Sequence, residues 1–160
     1  MLDSGAKGYL EWRDFATLGE RIIAAQLLPE DSPKAKAIRD GHWRYWSGLS
    51  PDGSQDGQVT FEQYAAKAHT VEWFRDCMLP CAVAVGEGSD HDDDGLLERW
   101  EWLALLTAIG FPEPDAAALF DKLDEDGDNR IGVSQWLQTT QEFYTGSSAD
   151  FAGDVLIGND

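Results

Sequence analysis

The chain has 160 residues, with 12 Lys and Arg residues against 30 Asp and Glu residues, which gives a formal net charge of −18. This acidic surplus argues against binding to nucleic acid, which relies on basic patches, and against docking on an anionic membrane surface. With 42% hydrophobic residues and seven Trp residues, the composition is too apolar for a disordered acidic chain and predicts a folded core. The sequence has no run of about 18 apolar residues, so we expect no membrane span.

The two cysteines, Cys77 and Cys81, are too few for a secreted disulfide scaffold. Their spacing is unfavourable for a bridge within one continuous helix, but Pro80 between them leaves a disulfide open. The favoured interpretation is two reduced, mostly buried thiols. The N-terminus has no apolar signal segment, so we expect a cytoplasmic protein. A zinc site is disfavoured, because the three histidines do not stand at ligand spacing from the thiols.

The acidic residues are concentrated in four short stretches, which begin at residues 3, 52, 90 and 124 and approach the pattern D-x-[DN]-x-[DN]-G-x5-E. In that pattern a Ca²⁺ ion, which takes roughly six to eight oxygen ligands, is held by side chains at positions 1, 3, 5 and 12. Position 7 offers its backbone carbonyl, and position 9 acts directly or through water. Glycine at position 6 permits a sharp turn with positive φ.

The first stretch, residues 3–14, keeps Gly8 at position 6 and Leu10 at position 8. It lacks a ligand at position 3, where Gly5 stands, and Lys7 places a cation at position 5 where an anion belongs. We therefore expect this loop to be empty. The sequence contains no helix to enter it, which indicates either a truncated start or a genuine departure from the pattern.

Two helices are predicted between the first and second stretches. The first has apolar residues at helical spacing and should end before Pro29; these residues are Leu18, Ile22, Ala25 and Leu28. Ser32 and Pro33 predict the start of the second helix, because Ser favours the N-cap and Pro the first helical position. The predicted apolar face of that helix consists of Ala37, Ile38, Trp43 and Trp46.

The second stretch, residues 52–63, offers few charges to a metal ion. Its predicted ligands are Asp52, Ser54, Asp56, the carbonyl of Gln58, and Gln63. Gln63 stands at position 12, where it supplies one neutral oxygen in place of the two charged oxygens of a carboxylate. The loop is therefore marginal, and its occupancy is left open. The leaving helix is predicted from Phe61, Tyr64, Ala65 and Ala68.

The third stretch, residues 90–101, fits the pattern at every specified position and is the strongest metal-site prediction in the chain. Its predicted ligands are Asp90, Asp92, Asp94, the carbonyl of Leu96, Glu98 and Glu101. The segment that should form the end of the entering helix contains Gly86, Gly88 and Ser89. We therefore expect the end of that helix to be frayed. The leaving helix is predicted from Trp100, Leu103, Leu106 and Ile109, with Gly110 as its end.

The fourth stretch, residues 124–135, predicts a weakened Ca²⁺ site. Its predicted ligands are Asp124, Asp126, Asp128, the carbonyl of Arg130, and Gln135. Asn129 replaces glycine at position 6, which is tolerable because Asn adopts positive φ more readily than most residues. Gln135 at position 12 again removes a charge. Mg²⁺ is an alternative at the two loops that end in Gln, because it keeps more of its own water ligands.

The residues at position 8 of the loops predict how the loops pair. Leu10 should meet Val59, and Leu97 should meet Ile131, each pair in a short antiparallel bridge. The predicted fold is all-α and compact, with paired lobes at residues 1–70 and 71–160. We expect a monomer in which the two lobes pack into one body.

This pattern resembles the EF-hand superfamily, and more narrowly the sarcoplasmic calcium-binding proteins and their bacterial relatives of the calerythrin type. The loops at 90–101 and 124–135 and the Trp-rich helices carry the resemblance. The resemblance implies a compact helical fold with a short apolar tail, here Phe151, Val155, Leu156 and Ile157, against the body. It also implies cytosolic calcium buffering or calcium signalling.

The sequence favours calcium buffering or modulation of calcium signals. A calcium sensor that binds an unknown target protein is the alternative, although only two Met residues are present and sensors of that kind use Met-rich surfaces. A third hypothesis is an enzyme or small-ligand carrier, as in EF-hand photoproteins, built around His42, Trp43, Tyr45 and Trp46. Aromatic residues at helical spacing are more often core, and the sequence has none of the common catalytic motifs, so we expect no enzyme.

Overall fold

The structure is a computed structural model that describes residues 2, 7–68 and 70–146. Its α-helices are α1 Trp12–Ala25, α2 Pro33–Leu49, α3 Phe61–Ala68, α4 Val71–Trp73, α5 Leu79–Ser89, α6 Arg99–Ile109, α7 Glu113–Leu123 and α8 Val133–Thr145. A π-helical turn, Phe74–Met78, joins α4 to α5. The strands are β1 Tyr9–Leu10, β2 Val59–Thr60, β3 Leu96–Glu98 and β4 Arg130–Gly132. The predicted helical fold with short strand bridges is confirmed.

The strands pair as the position-8 residues predict. β1 runs antiparallel to β2 with Leu10 opposite Val59, and β3 runs antiparallel to β4 with Leu97 opposite Ile131. Three of these side chains are fully buried and Leu10 is 8% exposed, so each bridge places two apolar side chains in the core. The four loops are thereby joined as two pairs.

Helix α2 begins as predicted, because Pro33 occupies its first turn and the backbone N–H of Ala35 donates to the Ser32 hydroxyl oxygen at 3.1 Å. Its buried face is only partly the predicted one. Ile38 and Trp46 are buried, but Ala37 is exposed. The remaining buried side chains of the face are Ala35, His42, Tyr45 and Leu49.

The prediction of a frayed entering helix before loop 90–101 is wrong, because α5 continues through Gly86 and Gly88 to Ser89. A Cβ atom on Gly86 would lie 2.7 Å from Cδ1 of Trp136, and one on Gly88 would lie 2.7 Å from Cδ1 of Ile38. The two glycines therefore allow close approach of α8 and α2 to this helix, and that packing offsets their low helix propensity.

Smaller differences concern helix ends and faces. α1 ends at Ala25, earlier than the predicted Leu28, and Leu27 follows it with φ 51°. Phe61 in α3 is 77% exposed although the apolar pattern predicts its burial. In α6 the fully buried tryptophan is Trp102, whereas the predicted Trp100 is 49% exposed. Helix α6 ends at Gly110 with φ 117°, as predicted.

One core runs through both predicted lobes. Helix α1 contacts α2 and α6, and α2 packs along α5. Phe15 of α1 lies 4.9 Å from Tyr45, and Trp102 of α6 lies 6.1 Å from Trp136, measured between ring centroids. The hydroxyl of Tyr45 lies 2.8 Å from that of Tyr144 in α8. The helices of the two halves therefore share apolar surface, and the division near residue 70 stays a prediction.

The cysteines are unbridged, with Cys81 buried and Cys77 partly buried. Burial raises the pKa of the Cys81 thiol to about 12. Within the described ranges, no helix has both the length and the apolar character to cross a membrane. The predicted apolar tail, Phe151 to Ile157, lies outside the described residues, as do residues 3–6 of the first loop.

Candidate metal centre

Loop 90–101 brings three predicted ligands together. Asp90, Asp92 and Asp94 each place a carboxylate oxygen within 4.8 Å of the others. The Asp90 carboxylate accepts hydrogen bonds from the N–H groups of Asp94 at 3.2 Å and Gly95 at 2.9 Å. These bonds fold the loop around Asp90, which is only 5% exposed. The carboxylates thus face one another at the N-terminal side of the loop.

The position-12 carboxylate of this loop, Glu101, is fully buried. Its Oε2 atom accepts a hydrogen bond of 2.8 Å from the N–H of Glu98. Its Oε1 atom lies 3.1 Å from the backbone nitrogen of His91 and 2.9 Å from the ring Nδ1 atom. Glu101 is therefore held at the helix start by N–H groups of the loop itself.

Carboxyl groups are crowded at the closing end of the loop. The hydrogen bond with Glu101 raises the pKa of the Glu98 carboxyl above its ordinary value. Two carboxyl groups so close together repel each other when both are ionised. A divalent cation bound between them would relieve this repulsion.

Three side chains that sequence reasoning did not assign to the site, two outside the loop and one within it, anchor this loop to the N-terminal half. Gln26 donates its Nε2 hydrogen to the Glu101 carbonyl at 2.9 Å. Lys34 donates to the Asp90 carbonyl and lies 2.7 Å from an Asp93 carboxylate oxygen. The Nε2 atom of His91 lies 2.7 Å from the Gln26 carbonyl oxygen. Helix α2 and the segment before it thereby fix the loop, through contacts of high sequence separation that spacing rules do not reveal.

Loop 124–135 also gathers its three aspartates, with Asp124, Asp126 and Asp128 placing oxygens within 4.8 Å of one another. Asn129 has φ 64°, as its role at position 6 requires. Arg130 donates from Nη2 to the second oxygen of Asp128 at 3.1 Å. This guanidinium is a competing cation beside the site, because it occupies an oxygen that would otherwise be free for a metal ion.

The amide of Gln135 spans the two ends of its loop. Its Oε1 atom accepts from the Gly132 N–H at 2.9 Å, and its Nε2 atom donates to the Leu123 carbonyl at 3.1 Å. A carboxylate at this position could not donate the second bond. Gln135 therefore links the end of α7 to the start of α8 without a metal ion.

Loop 52–63 has a different conformation. Its position-6 residue Gly57 does not have positive φ, whereas Gly8, Gly95 and Asn129 in the other loops do. One oxygen of Asp52 accepts from the Ser50 hydroxyl and from the Ser54 N–H, each at 3.0 Å. These bonds lower the pKa of Asp52 and engage its carboxylate within the loop.

The remaining predicted ligands of this loop, Asp56, Gln58 and Gln63, are exposed. Gln63 Oε1 accepts from the Thr60 N–H at 2.9 Å. The Gln63 side chain is thereby turned to the start of α3. The ligands of loop 52–63 are thus less well arranged for a metal ion than those of the third and fourth loops.

The first loop holds an ammonium group. Lys7 Nζ lies 2.9 Å from Glu11 Oε1 and 3.0 Å from Asp14 Oδ2. The hydrogen bond to Glu11 raises the pKa of Lys7. Asp14 Oδ2 also accepts from the Glu11 N–H at 2.9 Å. The sequence marks Lys7 as a misplaced cation, but its contacts with both carboxylates become visible only in the folded loop.

No protein-family model matches the chain. The chain is similar to calerythrin of Saccharopolyspora erythraea, with 22% identity over 152 residues that cover 90% of this chain and 86% of that protein. It is also similar to a calcium-binding protein of Streptomyces coelicolor, whose structure is described as the basis for calcium-mediated regulation in prokaryotes. That structure has 24% identity and a TM-score of 0.74, and the match covers 92% of this chain and 93% of the other.

The ctenophore photoprotein berovin provides a third comparison. Its magnesium-loaded apo form, in which all three Ca²⁺-binding loops bind Mg²⁺, has 18% identity and a TM-score of 0.70 over 89% of this chain and 82% of that one. At these identities the likeness to solved structures concerns the fold alone. The chain shares with these calcium-binding proteins a fold of helix–loop–helix units paired through short strands.

Proposed function

We propose that the protein binds Ca²⁺ through loop 90–101, with loop 124–135 as a weaker second site, and acts as a calcium buffer or modulator of calcium signals. The observation that carries the proposal is the convergence of the Asp90, Asp92 and Asp94 carboxylates within 4.8 Å. Oxygen-only sites of this kind suit hard divalent cations. The likeness to a calcium-binding protein of Streptomyces coelicolor supports the same function.

In the third loop the three aspartates, the Leu96 carbonyl, Glu98 and Glu101 would hold the ion. Both Glu101 oxygens are hydrogen-bonded within the loop, so bidentate coordination requires this side chain to turn toward the aspartates. Trp100 is half exposed, and its ring lies 4.7 Å from the His91 ring. Since His91 contacts Glu101, this movement is expected to change the fluorescence of Trp100.

The fourth loop would bind more weakly, because Gln135 supplies no charge and Arg130 engages Asp128. Magnesium is the competing ligand there, as the magnesium-loaded loops of berovin suggest by analogy. The second loop is the least well arranged for metal binding, because the Asp52 carboxylate accepts hydrogen bonds from Ser50 and Ser54. We propose that it takes an ion only after local rearrangement.

A calcium sensor is the second candidate function. It is favoured by exposed apolar side chains beside the third loop, since Trp100 is 49% exposed and Leu27, next to Gln26, is 80% exposed. Gain of hydrophobic-dye binding on adding Ca²⁺ would support the sensor, and no change would support the buffer. We further propose a monomeric, cytoplasmic protein, a location supported by its two unbridged cysteines.

The test is a calorimetric Ca²⁺ titration of metal-stripped protein in the presence of Mg²⁺. Glu101→Gln should weaken the tightest step by at least about tenfold, because it removes a charge and a coordinating oxygen from the best site. The matched variant Gln135→Glu changes the same position in the fourth loop in the opposite direction. It should strengthen a weaker step and leave the tightest step unchanged.

A tightest step that survives Glu101→Gln would show that another loop binds first. Absence of heat and of any Trp fluorescence change at millimolar Ca²⁺ would contradict the proposal as a whole. Circular dichroism of each variant without metal checks that the fold is retained.

A further inference from the structure

The first loop resembles a metal-loaded loop in its charge arrangement. Lys7 stands at position 5, and its ammonium group contacts the carboxylates at position 9, Glu11, and position 12, Asp14. The distances from Nζ are 2.9 Å to Glu11 Oε1 and 3.1 and 3.0 Å to the two Asp14 oxygens. In the third loop the same two positions carry Glu98 and Glu101, which are predicted to serve the metal ion.

The Asp14 carboxylate needs a counter-charge. Its side chain is only 6% exposed, while that of Lys7 is 24% exposed. A buried carboxylate is strongly unfavourable unless a cation or several hydrogen-bond donors compensate it. The N–H of Glu11 supplies one donor at 2.9 Å, and the ammonium group supplies the opposite charge.

We propose that the Lys7 ammonium is the permanent internal cation of the first loop. It takes the place that a metal ion has in a working loop and holds β1 against β2 whether or not calcium is present. Strand β1 lies between Lys7 and Glu11 in the chain, so the ammonium links the residues that flank this strand. An ammonium group carries three N–H donors, which matches the three carboxylate oxygens within reach.

This arrangement gives the second loop a fixed partner. The β1–β2 bridge pairs Leu10 with Val59, and Val59 lies at position 8 of loop 52–63. A first loop whose buried carboxylate already has a counter-charge keeps this bridge formed in metal-free protein. The ammonium group has this role in metal-free protein, whether or not the other loops bind calcium.

The test compares Lys7→Met with the wild type in the presence of a chelator. Removing the ammonium leaves Asp14 buried without its counter-charge, so the melting temperature should fall by about 5 °C or more. Lys36→Met is the matched control, because Lys36 pairs with Asp40 on the surface and its side chain is 74% exposed. That control should shift the melting temperature by no more than about 1–2 °C.

Two further measurements separate the charge from the shape of the side chain. Amide hydrogen exchange of Tyr9–Leu10 and Val59–Thr60 should speed up in Lys7→Met, while exchange in β3 and β4 stays unchanged. Adding Asp14→Asn to Lys7→Met should recover part of the lost stability, because the unpaired charge is gone.

If Lys7→Met does not fold, Lys7→Arg becomes the informative variant, since it keeps the charge and should fold. A Lys7→Met protein as stable as the Lys36→Met control, with unchanged exchange in β1 and β2, would overturn the proposal. Equal loss of stability in Lys7→Arg and Lys7→Met would also overturn it, because the charge would then not matter.

Discussion

His42 illustrates how one polar side chain is accommodated in the aromatic core. It is 2% exposed, and its Nδ1 atom lies 2.8 Å from the Ile38 carbonyl oxygen, to which it donates. A Cβ atom on Gly19 would lie 3.3 Å from its ring, so α1 covers the imidazole closely. Burial lowers the pKa of His42 below its ordinary value. The residue is therefore neutral in the folded protein near neutral pH.

The stability of the folded protein should depend on pH through His42. As the pH falls through about 6.5, the unfolded chain protonates His42 more readily than the folded protein, in which burial lowers the pKa of His42. The unfolded state then binds more protons, so the contribution of His42 to stability is lost as the pH falls through this range. Denaturant unfolding from pH 7 to pH 5 should show a steeper loss in the wild type than in His42→Gln.

The groups around His42 allow this comparison to isolate the histidine. Glu20 is the charged residue that acts on it, and its negative charge opposes the effect of burial. The Cys81 thiol lies 3.8 Å from Nδ1 and stays neutral, since burial raises its pKa to about 12. Both groups are present in His42→Gln. Identical pH profiles for the two proteins would contradict the prediction.

At the scale of elements, α5 joins the two halves because one helix from each half approaches its glycines. Trp136 of α8 lies against Gly86, and its indole N–H donates to the Ala82 carbonyl at 2.9 Å. Ile38 of α2 lies against Gly88. The rigid indole ring of Trp136 and the flexible end of the Ile38 side chain therefore pack against α5 at two nearby glycines.

Gly86→Ala should accordingly destabilise the protein by about 1–3 kcal/mol, because the added methyl group would displace the indole ring. Gly88→Ala should cost less, since Cδ1 of Ile38 can move, and Ile38→Val in the same protein should remove that clash. Chemical denaturation of the three variants measures the differences. Equal costs at the two glycines would show that the ring adapts as readily as the aliphatic end.

At the scale of the whole molecule, the contacts between the halves argue for one cooperative unit. Helix α1 lies against α6, and α2 against α5. The fully buried Ile38 and Leu105 belong to one continuous set of core side chains. Gln26 adds a buried hydrogen bond from the N-terminal half to the Glu101 carbonyl.

Calorimetry of metal-free protein should therefore show one unfolding transition, as is usual for a single domain of this size. Ile38→Ala and Leu105→Ala, one in each half, should each lower that transition as a whole, with a loss of about 2–5 kcal/mol. Two separate transitions, each sensitive to only one of the variants, would instead favour independent lobes.

Much of this architecture can be predicted from the sequence, because loop spacing and position-8 residues follow local rules. The strand pairs Leu10–Val59 and Leu97–Ile131 and the start of α2 at Pro33 are of this kind. The continuity of α5 through its glycines cannot be predicted locally, since it depends on Trp136 and Ile38 from distant segments. The same holds for the contacts that Gln26 and Lys34 make with the third loop, which include the contact of His91 with the Gln26 carbonyl.

The residue at position 12 has the same backbone contact in all four loops. Oxygens of Asp14, Gln63, Glu101 and Gln135 each accept a hydrogen bond from the N–H three residues earlier, at 2.8–2.9 Å. A single base change converts a Gln codon into a Glu codon, and this bond needs only one side-chain oxygen. An exchange of Gln and Glu at this position would therefore change the charge offered to a metal ion while the start of the leaving helix stays intact. Metal affinity and folding could then evolve separately at this position.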